Sequence, residues 1–271
     1  MTRIAVIGGG RIGEALIAGL LRAGHAVKDL VVAEHSPVRS KEIADEYGVL
    51  VTGIRDAAEG ADVIVVAVKP GDVEKATAEI DKADLDSDRE QMLVSLAAGV
   101  PTVFYEKRLP AGFPVVRVMP NTPMLVGAGM SVIAPGRHVK DEHLELVRGV
   151  LGSVGSVATV PESQIDAVTA VSGSGPAYVF LVAEAMIDAA VGLGLPRATA
   201  SELVTQTIAG SAAMLGGSGE SPTELRAAVT SPGGTTAAAV RQLESHGVRK
   251  AFFEALEAAK SRSAELGSGI E

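Results

Sequence analysis

The chain has 271 residues, enough for two modest domains or one large one, and for a sizeable core without covalent staples. It has no cysteine, which excludes disulfides, thiolate metal sites and cysteine nucleophiles, and its five histidines are scattered, so a metal site is not expected. A net charge of −9 argues against a nucleic-acid partner, which would want a basic stripe. At the start, Met1-Thr2-Arg3 leads into Ile4-Ala5-Val6-Ile7 and then glycines, before any signal-peptide core can form. No stretch reaches the about 18 uninterrupted apolar residues that span a bilayer. The expectation is a cytoplasmic protein without a membrane partner.

Up to about residue 160 the chain alternates short β-branched runs with helical patterns. Strands are predicted at 3–7, 30–33, 62–68, 91–95, 115–119, 130–134 and 156–159. The run Val63-Ile64-Val65-Val66-Ala67-Val68 is apolar throughout, as suits a parallel strand buried on both faces. Helices are predicted at 11–23, closed by Gly24, and at 36–47, with Ser36 as N-cap and Pro37 at the first helical position. The charge-rich stretch 81–90 reads as a solvated loop. This alternation predicts a doubly wound, mostly parallel α/β sheet of Rossmann type, as a domain over 1–160.

Past Pro161 the strand patterns stop, and 161–271 reads as an all-α domain with breaks at 192–196, 216–222 and 230–234. The segment 177–191 is apolar around most of its circumference, with Glu184 and Asp188 as the main exception. So short a helical half cannot bury such a helix by itself, which favours a subunit interface. Composition agrees: 47% of the residues are hydrophobic but only 3% aromatic, and small side chains each bury little area. Both observations hint at oligomerisation.

Two motifs carry the chemistry. Gly8-Gly9-Gly10-Arg11-Ile12-Gly13 fits G-x-G-x-x-G between an apolar strand and an amphipathic helix, and Glu34 ends the next strand as the dinucleotide fingerprint asks. Glu34 favours NAD by accepting ribose hydroxyls, whereas Arg39, with Ser36 nearby, suits the 2′-phosphate of NADP; the residues leave both cofactors open. Other strand ends on the same edge should line the cleft: Ala67-Val68-Lys69-Pro70, Ala97-Ala98-Gly99, and Asn121 in Met119-Pro120-Asn121-Thr122-Pro123. The second motif is Ser231-Pro232-Gly233-Gly234-Thr235-Thr236, between two helical patterns. A helix start with free N–H groups suits a small carboxylate, although by composition alone the run reads more readily as a plain turn.

Taken in order, GGGRIG, AVKP at 67–70, MPNTP at 119–123, SGSGPAY at 172–178 and SPGGTT at 231–236 resemble the pyrroline-5-carboxylate reductase family, and the match spans nearly the whole chain. The stretch 222–244, PTELRAAVTSPGGTTAAAVRQLE, looks like that family's signature. The resemblance implies a Rossmann domain followed by an interlocking dimerisation domain, with dimers that often form rings. It implies NAD(P)H-dependent reduction of 1-pyrroline-5-carboxylate to L-proline, the last step of proline biosynthesis, commonly with NADPH. Glu34 departs from the small polar residue often found at its position.

On that reading the backbone N–H groups of Gly233, Gly234 and Thr235 hold the substrate carboxylate, with Ser231 beside them. Thr236 is the catalytic residue, its hydroxyl donating a proton to the ring nitrogen or orienting a water. Positioning then carries the rate, and near-attack geometry contributes up to about 7–11 kcal/mol. Alternatives are a related imine or β-hydroxyacid reductase and a non-catalytic NAD(P)-sensing dimer. The hydroxyacid enzymes usually need a lysine soon after the domain boundary, and 162–196 contains none. A sensor would have no use for a second ligand loop.

Overall fold

The computed structural model describes residues 2–85 and 91–268. Eight strands form one sheet: β1 (Ile4–Ile7), β2 (Leu30–Ala33), β3 (Leu50–Thr52), β4 (Val63–Val66), β5 (Met92–Ser95), β6 (Val115–Met119), β7 (Gly129–Pro135) and β8 (Gly155–Thr159). Their spatial order is β3-β2-β1-β4-β5-β6-β7-β8. All neighbours run parallel except β6 and β7. The order reverses between β1 and β4, so the crevice beyond their carboxyl ends is the topological switch point where such sheets bind ligands.

Helices α1 (Arg11–Arg22), α2 (Pro37–Tyr47), α3 (Ile54–Ala58), α4 (Val73–Asp81), α5 (Thr102–Glu106) and α6 (Asp141–Gly152) cover the sheet. Because side chains alternate along a strand, the main core divides into two clusters, with a smaller third one at β7. One cluster holds Val6, Leu16, Val63 and Val65, and the other holds Ile7, Ile64, Val66 and Tyr105. Every residue of β1, β2, β4 and β5 is buried, which explains why their apolar runs lack a polar alternation. The expected cap of α2 is present: Ser36 accepts a hydrogen bond from the Arg39 N–H, with Pro37 at the first turn.

Two differences from the sequence reading have simple causes. Strand β3 has only three residues and lies at the sheet edge with Leu50 exposed, so it carries no readable alternation. In the charge-rich stretch 81–90, Asp81 still belongs to α4, and 86–90 lie outside the described residues.

Beyond β8 come α7 (Ile165–Val168), a π-helical turn (Thr169–Gly173), α8 (Gly175–Gly192), α9 (Arg197–Gly217), α10 (Pro222–Ala228), α11 (Thr235–Ser245) and α12 (Val248–Ser268). Among the described residues no strand follows β8. The described residues of Met1–Ser174 and Ala259–Glu271 form one compact unit, and Gly175–Ala258 forms the other. Residues just past Pro161 stay with the sheet because Ile165 packs with Val132 and Ala134 of β7.

In the second unit the only buried residues are Ala200 and Val204 of α9, while Phe180, Leu181, Leu193 and Phe253 are each at least 64% exposed. No run of about 18 uninterrupted apolar residues occurs, as read from the sequence, although a stretch of the helical half is apolar on average. Counted together as one helical run, Glu162–Gly192 holds a window of mean hydropathy 1.3 and is long and apolar enough to cross a membrane by length and composition alone. Polar interruptions such as Glu184 break the uninterrupted run without lowering the average below that mark.

Ile64 stands fully buried on the central strand β4. Ile64→Ala is expected to lower stability by about 2–5 kcal/mol through lost burial and the cavity left behind. A lower urea midpoint at unchanged slope would check this.

Candidate active site

The glycine loop follows from what each missing Cβ permits. Gly8 has φ +107, and a Cβ there would stand 2.9 Å from the Ala67 backbone, so only glycine lets β1 leave the sheet beside β4. Its N–H donates to the Ala33 carbonyl at 2.8 Å. A Cβ on Gly13 would stand 2.0 Å from the Gly8 carbonyl oxygen, so α1 touches the strand exit. Gly10, the N-cap of α1, has nothing within 4 Å of its absent Cβ and no side-chain cap. A helix start with that open approach fits a pyrophosphate on the N–H groups of Arg11, Ile12 and Gly13. The cradle therefore fits a dinucleotide.

The fourth glycine is clamped from both sides. Glu34 Oε2 accepts the Gly9 N–H at 2.9 Å, while Arg39 Nε donates to the Gly9 carbonyl at 2.9 Å. Glu34 Oε1 accepts the Ser36 N–H at 2.8 Å, and the Glu34 side chain is only 8% exposed. Arg39 also pairs with Glu42 at 2.9 Å and with Glu14. The Glu42 hydrogen bond, with help from Glu14, holds its guanidinium above the ordinary arginine pKa despite partial desolvation. Tyr47 donates to Glu14 at 3.3 Å, and burial first, then the Glu14 charge, pushes its phenol up to about 12. Glu34 and Arg39, expected to face the ribose and its phosphate, thus both hold the loop backbone.

A cleft of about 460 Å³ opens beside this loop, lined by Gly8, Gly10, Glu34, Ala67, Val68 and Lys69 among the expected residues. It is lined also by His35, Ile54, Asp72, Lys75 and Ala76, which the sequence reading missed. His35 is 95% exposed and sits 3.0 Å from Glu34 Oε1. Its position directly after the fingerprint acid was the available signal, whereas Ile54 follows the unread strand β3.

Pro70 opens a short 3₁₀ turn that carries the chain from Lys69 into α4. Beyond β5, Ala97 is buried and Ala98 exposed. Asn121 differs most from its expected nicotinamide contact. Its Oδ1 accepts the Met130 N–H at 2.8 Å, and its Nδ2 donates to the Ser172 carbonyl at 3.1 Å, so it fastens the π-helical turn to the end of β6.

In the second unit, α10 and α11 are joined by the loop of the SPGGTT motif. Gly233 has φ +73, a conformation that favours glycine, while a Cβ on Gly234 would meet Ser231 Oγ at 2.6 Å, a contact that a turn of the serine side chain relieves. Gly234 N–H donates to the Ser231 carbonyl at 3.1 Å, so that N–H is turned into the loop and away from a ligand. Gly234 is instead the N-cap of α11, without a side-chain cap. The first-turn N–H groups of Thr235, Thr236 and Ala237 have no intrahelical acceptor. Neither the Thr235 nor the Thr236 hydroxyl has a hydrogen-bond partner among the described residues. This end of α11 offers donors and hydroxyls to a small anion.

A Rossmann sheet with a complete glycine cradle at its switch point defines a dinucleotide-binding oxidoreductase fold, here with a separate uncapped helix start at α11. The pyrroline-5-carboxylate reductase dimerisation family model matches residues 162–266, and a model described as NADP oxidoreductase, coenzyme F420-dependent, matches 3–99. A pyrroline-5-carboxylate reductase of Mycobacterium tuberculosis is 54% identical, over 98% of this chain and 97% of that protein. The structure of a pyrroline-5-carboxylate reductase from Coxiella burnetii matches with TM-score 0.93 and 38% identity, over 98% of both chains. The Plasmodium falciparum pyrroline carboxylate reductase with NADP bound matches with TM-score 0.85 and 30% identity, again over 98% of both. The chain belongs to the pyrroline-5-carboxylate reductase family.

Gly13→Ala forces α1 off the strand exit, so the expected outcome is a loss of about 1–3 kcal/mol in stability together with loss of cofactor binding. Thermal unfolding with and without NADPH reads both: the parent's midpoint rises with cofactor and the variant's does not.

Proposed function

We propose that this chain reduces 1-pyrroline-5-carboxylate to L-proline with a nicotinamide cofactor, in the cytoplasm, as a homodimer able to assemble into rings. The observation carrying this reading is that one chain holds both a complete dinucleotide cradle and a separate helix start with two free hydroxyls. The similarity to pyrroline-5-carboxylate reductases along nearly the whole chain supports it. In this reading residues 1–160 serve as the cofactor domain and 161–271 as the dimerisation and substrate domain, in keeping with the family match at 162–266. The exposed apolar surface of α8 then packs against a second copy rather than a lipid phase.

The cofactor, when bound, supplies a hydride to the imine carbon. The protein's work is to hold the substrate. The substrate carboxylate sits on the first-turn N–H groups of α11, from Thr235 onward, where the helix dipole favours negative charge. Gly233 and Gly234 leave room for its approach, and Ser231 shapes the turn beneath it. The Thr236 hydroxyl donates to the neutral imine nitrogen, and its oxygen accepts from the ring N–H once that nitrogen is protonated. A cyclic imine can take its proton from water, so no buried acid is needed.

The cleft supports NADPH over NADH. Three cationic or protonatable groups, His35, Lys69 and Lys75, line it, and Glu34 is turned onto backbone N–H groups. A 2′-phosphate adds charge that these cations attract.

Thr236→Ala removes one polar contact to the reacting ring, worth about 1–3 kcal/mol, so kcat/KM for the imine should fall by roughly five- to a hundredfold with cofactor affinity unchanged. Absorbance at the NADPH band, followed with and without pyrroline-5-carboxylate, measures it. Full activity in that variant removes Thr236 from the chemistry. Cofactor oxidation that ignores the imine rejects the reductase reading. In the same assay kcat/KM should be higher with NADPH than with NADH, and the opposite order would count against the cation-lined cleft as a 2′-phosphate site.

A further inference from the structure

The loop 96–101 leaves the carboxyl end of β5 on the edge of the sheet where the cofactor crevice opens. In a doubly wound sheet the dinucleotide spans the switch point, so its nicotinamide half reaches over the β4–β6 side. Side chains hold this loop at both ends. Where it begins, Ser95 Oγ accepts the Ala97 N–H at 3.3 Å and lies 2.7 Å from the Tyr105 hydroxyl. Tyr105 is fully buried, and that burial pushes its phenol up to about 12.

Where the loop ends, Glu162 takes over. Its Oε1 accepts the Thr102 N–H at 2.8 Å and its Oε2 accepts the Thr102 hydroxyl at 2.7 Å. Arg117 Nη1 lies 3.4 Å from the same Oε1. Arg117 is on β6, in register with Ser95 of β5, and its side chain is only 10% exposed. One carboxylate therefore serves three donors: two at the end of the loop and one guanidinium inside the sheet. At the apex, Gly99 has φ +78, and a Cβ there would meet the backbone of Leu266 and Gly267 at 3.8 Å. Ser263, one turn earlier on α12, donates to Asp166 Oδ1 at 2.7 Å.

We propose that Glu162 is a positioning residue for cofactor binding, acting through Thr102 to set where loop 96–101 stands against the nicotinamide half. The proposal rests on the reading of this crevice as the NAD(P)H site. Glu162 is also the first residue of the dimerisation match. The segment that introduces the helical half thus carries a group that serves the nucleotide half. Glu162→Gln leaves one accepting oxygen where the carboxylate has two, so one of the two Thr102 donors loses its acceptor and the Arg117 guanidinium loses this counter-charge inside the sheet.

The test uses the full-length protein with Glu162→Gln and Thr102→Val, steady-state kinetics in both substrates, NADPH titration by fluorescence, and thermal unfolding. Glu162→Gln should raise the Kd and KM for NADPH about fivefold or more, with the KM for pyrroline-5-carboxylate within about twofold of the parent. Thr102→Val keeps the N–H bond and the Arg117 pair, so it should shift NADPH affinity the same way by about two- to threefold. A purely structural role would lower the melting temperature and the active fraction while leaving both KM values in place. NADPH affinity within about twofold of the parent in a folded Glu162→Gln protein overturns the proposal. If that variant does not fold, unchanged affinity in Thr102→Val overturns it alone. Failure of the site reading looks different: the parent itself would neither bind NADPH nor oxidise it with the imine.

Discussion

Everything at the nucleotide end depends on how closely backbone can approach backbone where β1 leaves the sheet. The Gly8 carbonyl lies where a Gly13 side chain would begin, and the Gly8 α-carbon lies against the Ala67 backbone. That double approach brings the start of α1 against the strand end and aims its free N–H groups across the switch point between β1 and β4. Any Cβ in either place would separate helix from strand. The loop is then held from outside, with Glu34 on the Gly9 N–H and Arg39 on its carbonyl. Arg39 is itself steadied by Glu14 and Glu42. In the proposed reading, a chain of net charge −9 receives phosphate mainly on backbone amides, with Glu34, Glu14 and Glu42 turned toward arginine and the loop.

How far this was legible depends on the kind of information involved. Apolar runs such as Val63–Val66 announce strands because burial on both faces leaves no polar positions. Ser36-Pro37 announces a helix start because capping is local chemistry. The glycine cradle is legible because only glycine satisfies it. Strand β3 was not legible, since three residues at an edge carry no period, and with it went Ile54 on the cleft wall.

The harder part is direction. Asn121, Glu34 and Arg39 have the right chemistry for a ligand, and the sequence places all of them near the crevice. In the fold each is engaged by protein backbone: Asn121 by Met130 and Ser172, Glu34 by Gly9 and Ser36, and Arg39 by Gly9. Gly234 shows the same at a smaller scale, because its N–H closes a turn with Ser231. Residue type is written in the chain, but the partner chosen by a polar group is settled by tertiary neighbours of comparable strength. Glu162 is the converse case, since nothing in its local sequence signals that it caps Thr102 sixty residues earlier.

The helical unit carries one more consequence. With only Ala200 and Val204 buried between Gly175 and Ala258, a lone copy has almost no interior to offset the entropy of ordering its five helices. In the proposed dimer that interior is supplied by association, which makes folding of this half a second-order event. Its stability then follows mass action: it weakens on dilution and strengthens as protomers accumulate, while the sheet-based half, with its own core, does not share that dependence. At low protomer concentration the sheet would stand formed while the helices from Gly175 to Ala258 would not.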